Sequence, residues 1–248
     1  MANAPWITIV GLGEDGPEGL APASQKALAE AEVVMGAKRH LSLLPDLAAE
    51  AIEWPVPFAD GLELLRAQAG RSVVVLASGD PFWFGAGAVI AREFAPQDWR
   101  AYPGLSTFSL AASRLGWPLE TTICLGLHAA PLQRLRPHLA PGARCLVLLR
   151  DGDAVQELAT FLDSIGFGDS GLHVMEALGG PRERCTDVRA ADVTGSFQHP
   201  VCVGITIAGR GVALPQTSGL SDTNFESDGV MTKRPIRALT LSALAPRA

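Results

Sequence analysis

Three glycine-containing turns are the segments of this sequence best suited to bind a small molecule. They are residues 10–16 (VGLGEDG), 78–85 (SGDPFWFG) and 102–107 (YPGLST), and each follows a short apolar run. Glycine allows a backbone to approach a ligand closely. Open parallel sheets bind their ligands at the loops that follow the strands. The turns therefore predict one ligand site, built from loops, at the edge of a sheet.

The first turn admits two other interpretations. Gly11, Gly13 and Gly16 match the GxGxxG of a dinucleotide-binding fold, which would make the chain an NAD-dependent oxidoreductase. That motif requires a helix that begins within it, and Pro22 would break such a helix. The acidic ribose partner expected at the end of the second strand is also missing, since Glu32 precedes that strand. NAD binding is thus disfavoured, while a tight turn without a ligand stays open.

Polar side chains in the other two turns can serve a ligand or the local backbone. Asp80 precedes a proline and is therefore extended, so its carboxylate could face a cationic or hydroxylated ligand. An Asx turn that starts the next helix is an equally good interpretation. Ser106 is expected to cap the helix that follows it. The aromatic residues 82–84 could flank a ring system, although we expect two of the three in the core.

Strands and helices must position these turns. Short apolar runs alternate with helical patterns through the first half, which predicts a mainly parallel sheet with helices on both faces. The predicted strands are residues 6–10, 33–35, 72–77 and 100–102, and the predicted helices are residues 24–31, 58–69, 87–94 and 106–115. A linker that contains Gly116 and Pro118 then leads to a second unit.

The second unit has a similar order of elements without a sequence repeat. Its predicted strands are residues 122–125, 144–149, 172–177 and 200–207, with a helix at 154–165 and a turn followed by a strand at 179–188. We therefore expect an α/β fold with an N-terminal domain over 1–117 and a C-terminal domain over 118–210. A polar linker at 211–228 and the start of a truncated further domain at 229–248 are expected to follow.

Composition narrows the class of protein. The 248 residues are 48% hydrophobic and carry a formal net charge of −6. An acidic chain is a poor partner for nucleic acid or for anionic membrane surfaces, and no apolar run approaches the ~20 residues of a membrane helix. The four cysteines lack CxxC spacing and the five histidines form no cluster. We therefore expect reduced thiols, no metal site and a cytoplasmic protein.

Taken together, the three turns resemble those of a known family. A strand ending in VGxG, then SGDPxxF, then PGxST before a helix is similar in order and spacing to the tetrapyrrole (corrin/porphyrin) methylases, over about residues 5–208. The resemblance implies two α/β domains with an active-site cleft between them, a homodimer, and S-adenosylmethionine as cofactor. The cofactor contacts that it implies are Gly13, Ser78, Gly79, Asp80, Trp83, Ser106, Thr107, Leu148, Leu149, Ala177 and Gly204.

Four segments are similar to a subgroup of that family. They are VGLGEDG at 10–16, MGAKRHL at 35–41, LRDGD at 149–153 and EALGGPRER at 176–184. This similarity implies methylation of a precorrin, precorrin-6B, at carbon C5 in cobalamin synthesis. It also implies a covalently linked C-terminal methyltransferase and decarboxylase domain, whose start is similar to 229–248. Many family members carry GPGD in the first turn, where Glu14 and Asp15 replace Pro-Gly here.

Other functions remain to be weighed against this one. Within the family, a precorrin methylase could act at another ring position. A ribosomal RNA methylase of the same fold is disfavoured by the acidic balance of the chain. From other classes, the NAD-dependent oxidoreductase is weakened by its misplaced proline, and a non-catalytic ligand-binding module stays open.

The chemistry that the resemblance implies is attack of an electron-rich substrate carbon on a sulfonium methyl group. The macrocycle is itself the nucleophile, so the chain need supply alignment and no activated Ser or Cys. The candidate bases for the released proton are Asp15, His40 and Glu176. The candidate partners of the substrate's carboxylates are the basic residues 38–40, Arg114, Arg150, Arg182 and Arg184.

Overall fold

The computed structural model describes residues 5–215 and 217–245, and within them the chain forms two five-stranded sheets. The strands are β1 (Ile7–Leu12), β2 (Val33–Gly36), β3 (Glu50–Glu53), β4 (Val73–Ser78), β5 (Trp99–Tyr102), β6 (Ile123–Gly126), β7 (Arg144–Leu148), β8 (Gly171–Glu176), β9 (Arg184–Arg189) and β10 (Val201–Thr206). The α-helices are α1 (Pro22–Ala29), α2 (Lys38–Ser42), α3 (Phe58–Arg66), α4 (Gly87–Glu93), α5 (Thr107–Leu115), α6 (Asp153–Ser164) and α7 (Arg234–Leu244).

The first sheet is entirely parallel, in the order β3-β2-β4-β1-β5. Side chains of β1, β2 and β4 alternate between two apolar clusters. One cluster is completed by Leu65 from α3 and Ile90 from α4, and the other by Ala27 from α1. Strands covered on both faces must be apolar at successive positions, which is the pattern of these runs. The predicted parallel sheet with helices on both faces is confirmed.

The second sheet has the order β6-β7-β10-β8-β9, and only its β6–β7 pair is parallel. The other three pairs are antiparallel. The second sheet is therefore mixed, unlike the first, although strands still alternate with helical elements along the chain up to β8, as expected. For the β8–β9 pair the physical reason is the length of the connection, because a parallel pair requires a crossover of roughly a dozen residues or more. Residues 177–183 are too few for one, so the two strands form a hairpin.

Helix α5 joins the two units into one packed body. Its N-terminal half carries Phe108, Ala111 and Ala112, which pack with Leu146 of β7 and Met175 of β8 in a shared buried cluster. The opposite face of the second sheet is covered mainly by α6. The predicted limits of the two domains, 1–117 and 118–210, stay a prediction, and residues 1–4 lie outside the described part of the chain.

Two short elements were not predicted. Strand β3 is an edge strand with mostly exposed side chains, and it lacks the apolar pattern that marks a strand. Helix α2 has only five residues, which is too short for helical periodicity to be visible. Both matter for function, because α2 carries basic residues next to the first sheet's carboxyl edge.

The C-terminal segment is organised around Arg237 of α7. Its guanidinium donates to the carbonyl oxygen of Leu220 at 2.5 Å and to Asp222 Oδ1 at 2.7 Å, and it lies 4.6 Å from the ring of Phe225. Apart from a short 3-10 turn at Asp222–Asn224, the described residues between 211 and 228 are irregular. Residue 216 and residues 246–248, which fall in the predicted linker and further domain, lie outside the described residues, and both assignments stay predictions.

Candidate active site

Three loops meet at the carboxyl edge of the first sheet, after the adjacent strands β4, β1 and β5. The amide of Gly79 donates to the carbonyl oxygen of Leu12 at 3.0 Å, and the amide of Gly104 donates to that of Gly79 at 3.0 Å. A Cβ at Gly11 would overlap the backbone of both Gly79 and Gly104. Glycine at these positions therefore allows the three turns to contact one another directly.

A cavity of about 690 Å³ opens from these loops toward the second sheet. One wall consists of the turns after β1, β4 and β5. The other wall is formed by the end of β7, by Met175 and Leu178, and by residues 199–202 at the start of β10. Both units thus contribute to one concave site.

The structure brings nine of the eleven predicted cofactor contacts together on the lining of this cavity. These nine are Gly13, Ser78, Gly79, Asp80, Trp83, Ser106, Thr107, Leu148 and Leu149. They come from both units and from four separate loops or strand ends, so their proximity is a product of the tertiary fold.

Ala177 and Gly204 do not line the cavity in the described structure. Ala177 is buried directly after β8 at a positive φ of 45°, and its amide donates to the carbonyl oxygen of Pro200 at 2.9 Å. Gly204 lies inside β10 and faces the side chains of Leu115 and Trp117. Their neighbours Leu178 and Cys202 are the residues that reach the cavity.

Asp80 and Ser106 stabilise the local backbone while they line the cavity. Asp80 Oδ1 accepts a 2.8 Å hydrogen bond from the amide of Phe82, which forms the Asx turn considered from the sequence. Ser106 Oγ accepts from the amide of Ser109 at 3.0 Å and caps α5, as predicted. Both residues therefore stabilise the fold, in addition to any contact that they make with a ligand.

The aromatic residues 82–84 are all more than a third exposed, so the expectation that two of them belong to the core is wrong. Trp83 packs on the buried ring of Phe108 at 4.8 Å, and Phe84 contacts the same ring edge-on at 6.0 Å. Both line the cavity, whereas Phe82 does not. The single buried Phe108 supports them from below, which leaves their outer faces free.

An ion cluster connects the two units at the cavity wall. Glu14, whose side chain is only 7% exposed, accepts hydrogen bonds from Arg39 of α2 and, at 3.1 Å, from Arg182 of the β8–β9 turn. Arg39 Nη2 also donates to Ser78 Oγ at 2.8 Å. We name Glu14, Arg39 and Arg182 the arginine cluster. Sequence reasoning listed the two arginines separately and missed Glu14 as their shared partner.

His40 is held as a neutral imidazole beside this cluster. Its Nε2 lies 2.9 Å from both Arg39 Nη2 and Ser78 Oγ. A guanidinium can only donate, so Nε2 accepts and the proton resides on Nδ1. Burial, followed by the positive charge of Arg39 and then His199, lowers the pKa of His40 to about 3. Desolvation and the same arginine cluster also lower the pKa of His199.

Comparison with known proteins identifies the family of this chain. The profile of the tetrapyrrole (corrin/porphyrin) methylases matches residues 7–194. The chain belongs to this family. It is 48% identical to the precorrin-6Y C(5,15)-methyltransferase [decarboxylating] of Sinorhizobium sp. over 98% of the chain and 60% of that relative, and 39% identical to the protein of that name from Mycobacterium tuberculosis over 97% and 61%.

Two further methylases extend the comparison. The cobalt-precorrin-7 C(5)-methyltransferase of Salmonella typhimurium is 31% identical over 44% of the chain and 55% of that relative. The uroporphyrin-III C-methyltransferase of Thermus thermophilus, solved with S-adenosylhomocysteine, superposes with a TM-score of 0.62 at 25% identity, over 80% of the chain and 96% of that structure. The chain spans about 60% of the length of the two precorrin-6Y C(5,15)-methyltransferases that it matches.

Several of the candidate residues lie away from the cavity. Of the candidate bases, Asp15 is exposed outside it, and the buried Glu176 accepts hydrogen bonds from Arg184 at 2.5 and 2.9 Å and from the amide of Gln198 at 2.6 Å. Only His40 lines the cavity. Arg114 forms an ion pair with Glu183, which together with Glu176 ties the β8–β9 hairpin to its surroundings.

Two features of the described residues bear on the dinucleotide-binding fold and the membrane helix considered from the sequence. Within GxGxxG only a short 3-10 helix (Gly16–Gly19) begins, and the first α-helix begins later, at Pro22, which is not the arrangement of a dinucleotide-binding fold. No described helix combines the length and apolar character needed to cross a membrane.

Proposed function

We propose that this chain binds S-adenosylmethionine in the cavity between its sheets and methylates a precorrin at carbon C5 in cobalamin synthesis. The single observation that carries the proposal is the convergence of loops after β1, β4 and β5 with the end of β7 around one cavity of about 690 Å³. Small-molecule sites have volumes of about 300–1,000 Å³, so the cavity suits a nucleoside with part of a larger substrate.

The cavity wall fits the proposed cofactor. Gly79, on the cavity lining, has a φ of 51°, and Gly11 and Gly104 allow the neighbouring loops to pack backbone against backbone beside it. Ser106 and Thr107 form the N-terminus of α5 on the cavity wall, where free amides favour a carboxylate such as that of an amino acid. Apolar side chains such as Leu148 and Leu149 supply the opposite wall.

The opening of the cavity fits a large ring with acidic side chains. Val56 is 96% exposed and Leu105 69%, and Trp83 and Phe84 lie on the same lining with exposed faces. Such a group of exposed apolar side chains marks a binding surface. The basic residues on the lining are Arg39, His40, His128, Arg150 and His199. The combination of apolar faces with the guanidinium groups of Arg39 and Arg150 suits a polycarboxylate macrocycle.

The protein's part in the proposed reaction is alignment. S-adenosylmethionine supplies an electrophilic methyl group when bound, and the substrate carbon is the nucleophile. Burial raises the pKa of Cys202, the thiol on the lining, so it stays protonated and does not compete as a nucleophile. His40 stays neutral. The loops would hold the two reactants in line and exclude water, and such alignment can lower the activation free energy by several kcal/mol.

The choice of C5 is supported by the names that relatives share. The Sinorhizobium protein is named for C5 and C15, and the Salmonella protein for C5 alone. C15 methylation and decarboxylation are also named for the Sinorhizobium protein, but this chain covers only 60% of its length. We assign the C5 reaction to this chain. A linked C-terminal methyltransferase domain, a homodimer and a cytoplasmic location remain predictions.

Calorimetric titration of the purified chain with S-adenosylhomocysteine, with NAD as control, tests the cofactor. We expect micromolar binding of the first and none of the second. Incubation with precorrin-6B and S-adenosylmethionine carrying a ¹³C-methyl group then tests the reaction, since NMR identifies the carbon that receives the label. Labelling at C5 is the expected result. Binding of NAD alone, or labelling at another ring carbon, would overturn the corresponding part of the proposal.

A further inference from the structure

The arginine cluster contains more positive than negative charge. Both oxygens of Glu14 are occupied, Oε1 by Arg39 and Oε2 by Arg182. One carboxylate therefore serves two guanidinium groups. The uncharged groups beside them are Ser78, which accepts from Arg39, and the neutral His40. Burial lowers the pKa of Arg39, and the like charge of Arg182 lowers it further.

Among the described residues, Glu14 is the only carboxylate that forms an ion pair with Arg39 or Arg182. His199 lies close enough to both arginines for their charge to lower its pKa. Asp151 opposes that effect on His199, but its carboxylate is held by Arg150 at 2.7 Å and by the amide of Ala154 at 3.0 Å. An uncompensated cation that is partly removed from water favours an incoming anion.

We propose that Arg39 and Arg182 form a binding site for a carboxylate of the ligand that enters the cavity, with Glu14 as the internal carboxylate that pairs with both arginines and competes with the ligand for them. Arg39 and Glu14 line the cavity, whereas Arg182 lies beside the lining and is bonded to Glu14; its side chain is 56% exposed, which leaves room for its guanidinium to turn toward a ligand. This inference rests on the proposed function, in which two sources of carboxylate exist: the amino-acid part of S-adenosylmethionine and the acidic side chains of the tetrapyrrole.

The site has a structural consequence, because its two arginines come from different units. Arg39 follows β2 in the first unit, and Arg182 lies in the hairpin turn between β8 and β9 of the second. A carboxylate bound by both would bridge the units directly above the cavity. Charge-assisted hydrogen bonds of this kind are the strong ones, and a guanidinium binds a carboxylate with defined geometry.

The test compares Arg182→Gln with Arg189→Gln in the full chain. Arg189 is a similarly exposed arginine that pairs with Asp169 and Asp192 outside the cavity. Three probes are titrated: S-adenosylhomocysteine, 5′-methylthioadenosine, which lacks the amino-acid part, and uroporphyrin, a polycarboxylate tetrapyrrole. We expect Arg182→Gln to raise the Kd of a carboxylate probe about tenfold, and Arg189→Gln to leave every Kd within about twofold.

The three probes identify the source of the carboxylate. Weaker binding of S-adenosylhomocysteine with unchanged 5′-methylthioadenosine assigns the site to the cofactor, whereas weaker binding of uroporphyrin alone assigns it to the substrate. Equal affinities of Arg182→Gln and Arg189→Gln for all three would overturn the inference while the proposed function stands. If the unmodified chain binds none of the three, the proposed function itself fails.

Replacement of Glu14 provides an independent test, because it should change the affinity for the carboxylate probe in the opposite direction. Glu14→Gln removes the internal anion that competes with the ligand, so we expect tighter binding of the carboxylate probe, by about threefold to tenfold at low salt. A loss of affinity in a variant that circular dichroism shows to be folded would contradict the role assigned to Glu14.

Discussion

The amide of Gly104 donates a 3.0 Å hydrogen bond to the carbonyl oxygen of Gly79, and this bond joins the loop after β5 to the loop after β4. Gly11 lies against both groups with no room for a side chain. The three loops therefore behave as one rigid element, and the cavity wall depends on glycine at its centre.

Gly11→Ala should disrupt this element. Its Cβ would overlap backbone atoms of Gly79 and Gly104, which cannot rotate away as a side chain can. We expect a loss of about 3 kcal/mol in the free energy of unfolding, measured by urea denaturation, together with loss of S-adenosylhomocysteine binding. Gly171→Ala is the matched control, because its Cβ would meet only Thr206 at 4.0 Å. Equal stability of the two variants would refute the close-contact argument.

Asp80 has a turn role and a proposed ligand role that two substitutions separate. Asp80→Asn keeps an oxygen for the amide of Phe82 but removes the charge, and Asp80→Ala removes both. We expect each to weaken S-adenosylhomocysteine binding about tenfold, and only Asp80→Ala to lose about 1 kcal/mol of stability. Calorimetry and urea denaturation measure the two effects. Unchanged affinity in both variants would leave Asp80 as a turn residue alone.

Glu176 should act in stability and have no part in the reaction. Its carboxylate, 3% exposed, accepts from Arg184 and from the amide of Gln198 and does not line the cavity. Glu176→Gln is expected to lower the free energy of unfolding by about 2 kcal/mol, with S-adenosylhomocysteine affinity within about threefold. The exposed Glu63→Gln should change stability by less than about 0.5 kcal/mol. A methylation rate lost in folded Glu176→Gln protein would restore Glu176 as a candidate base.

His40 should make the fold sensitive to mild acid. Its folded pKa is about 3 against an ordinary 6.5, so between these values the unfolded chain binds a proton that the folded chain does not. Stability is therefore full above pH 6.5 and falls as the pH drops toward 3, by up to about 1.4 kcal/mol per unit. The lowered pKa of His199 acts with the same sign.

Urea denaturation at pH 7.5 and pH 5.5 measures this effect. The unmodified chain should lose about 1 kcal/mol more than His40→Asn between the two conditions. His138→Asn serves as control, since His138 lies in a 3-10 helix outside the cavity. Identical losses in the unmodified chain and His40→Asn would show that folding does not lower the pKa of His40.

Much of the first unit was predictable because its signals are local. Strands β1 and β4 are buried on both faces. A continuous run of apolar residues predicts this burial without information from distant parts of the chain. Ser106 was predicted to cap α5, since the cap depends on residues three positions away. The motifs SGDPxxF and PGxST identified the family for the same reason: each is a short loop whose backbone conformation requires particular residues.

By itself the sequence determined the parallel sheet, the glycine loops at its carboxyl edge and the family. Only the tertiary structure decided that β10 lies between β7 and β8, that Ala177 and Gly204 stay off the cavity lining, and that Glu14 meets both Arg39 and Arg182. The physical reason is sequence separation. Pairing across a sheet and charge compensation between residues 168 positions apart depend on how the units pack, which no local pattern encodes.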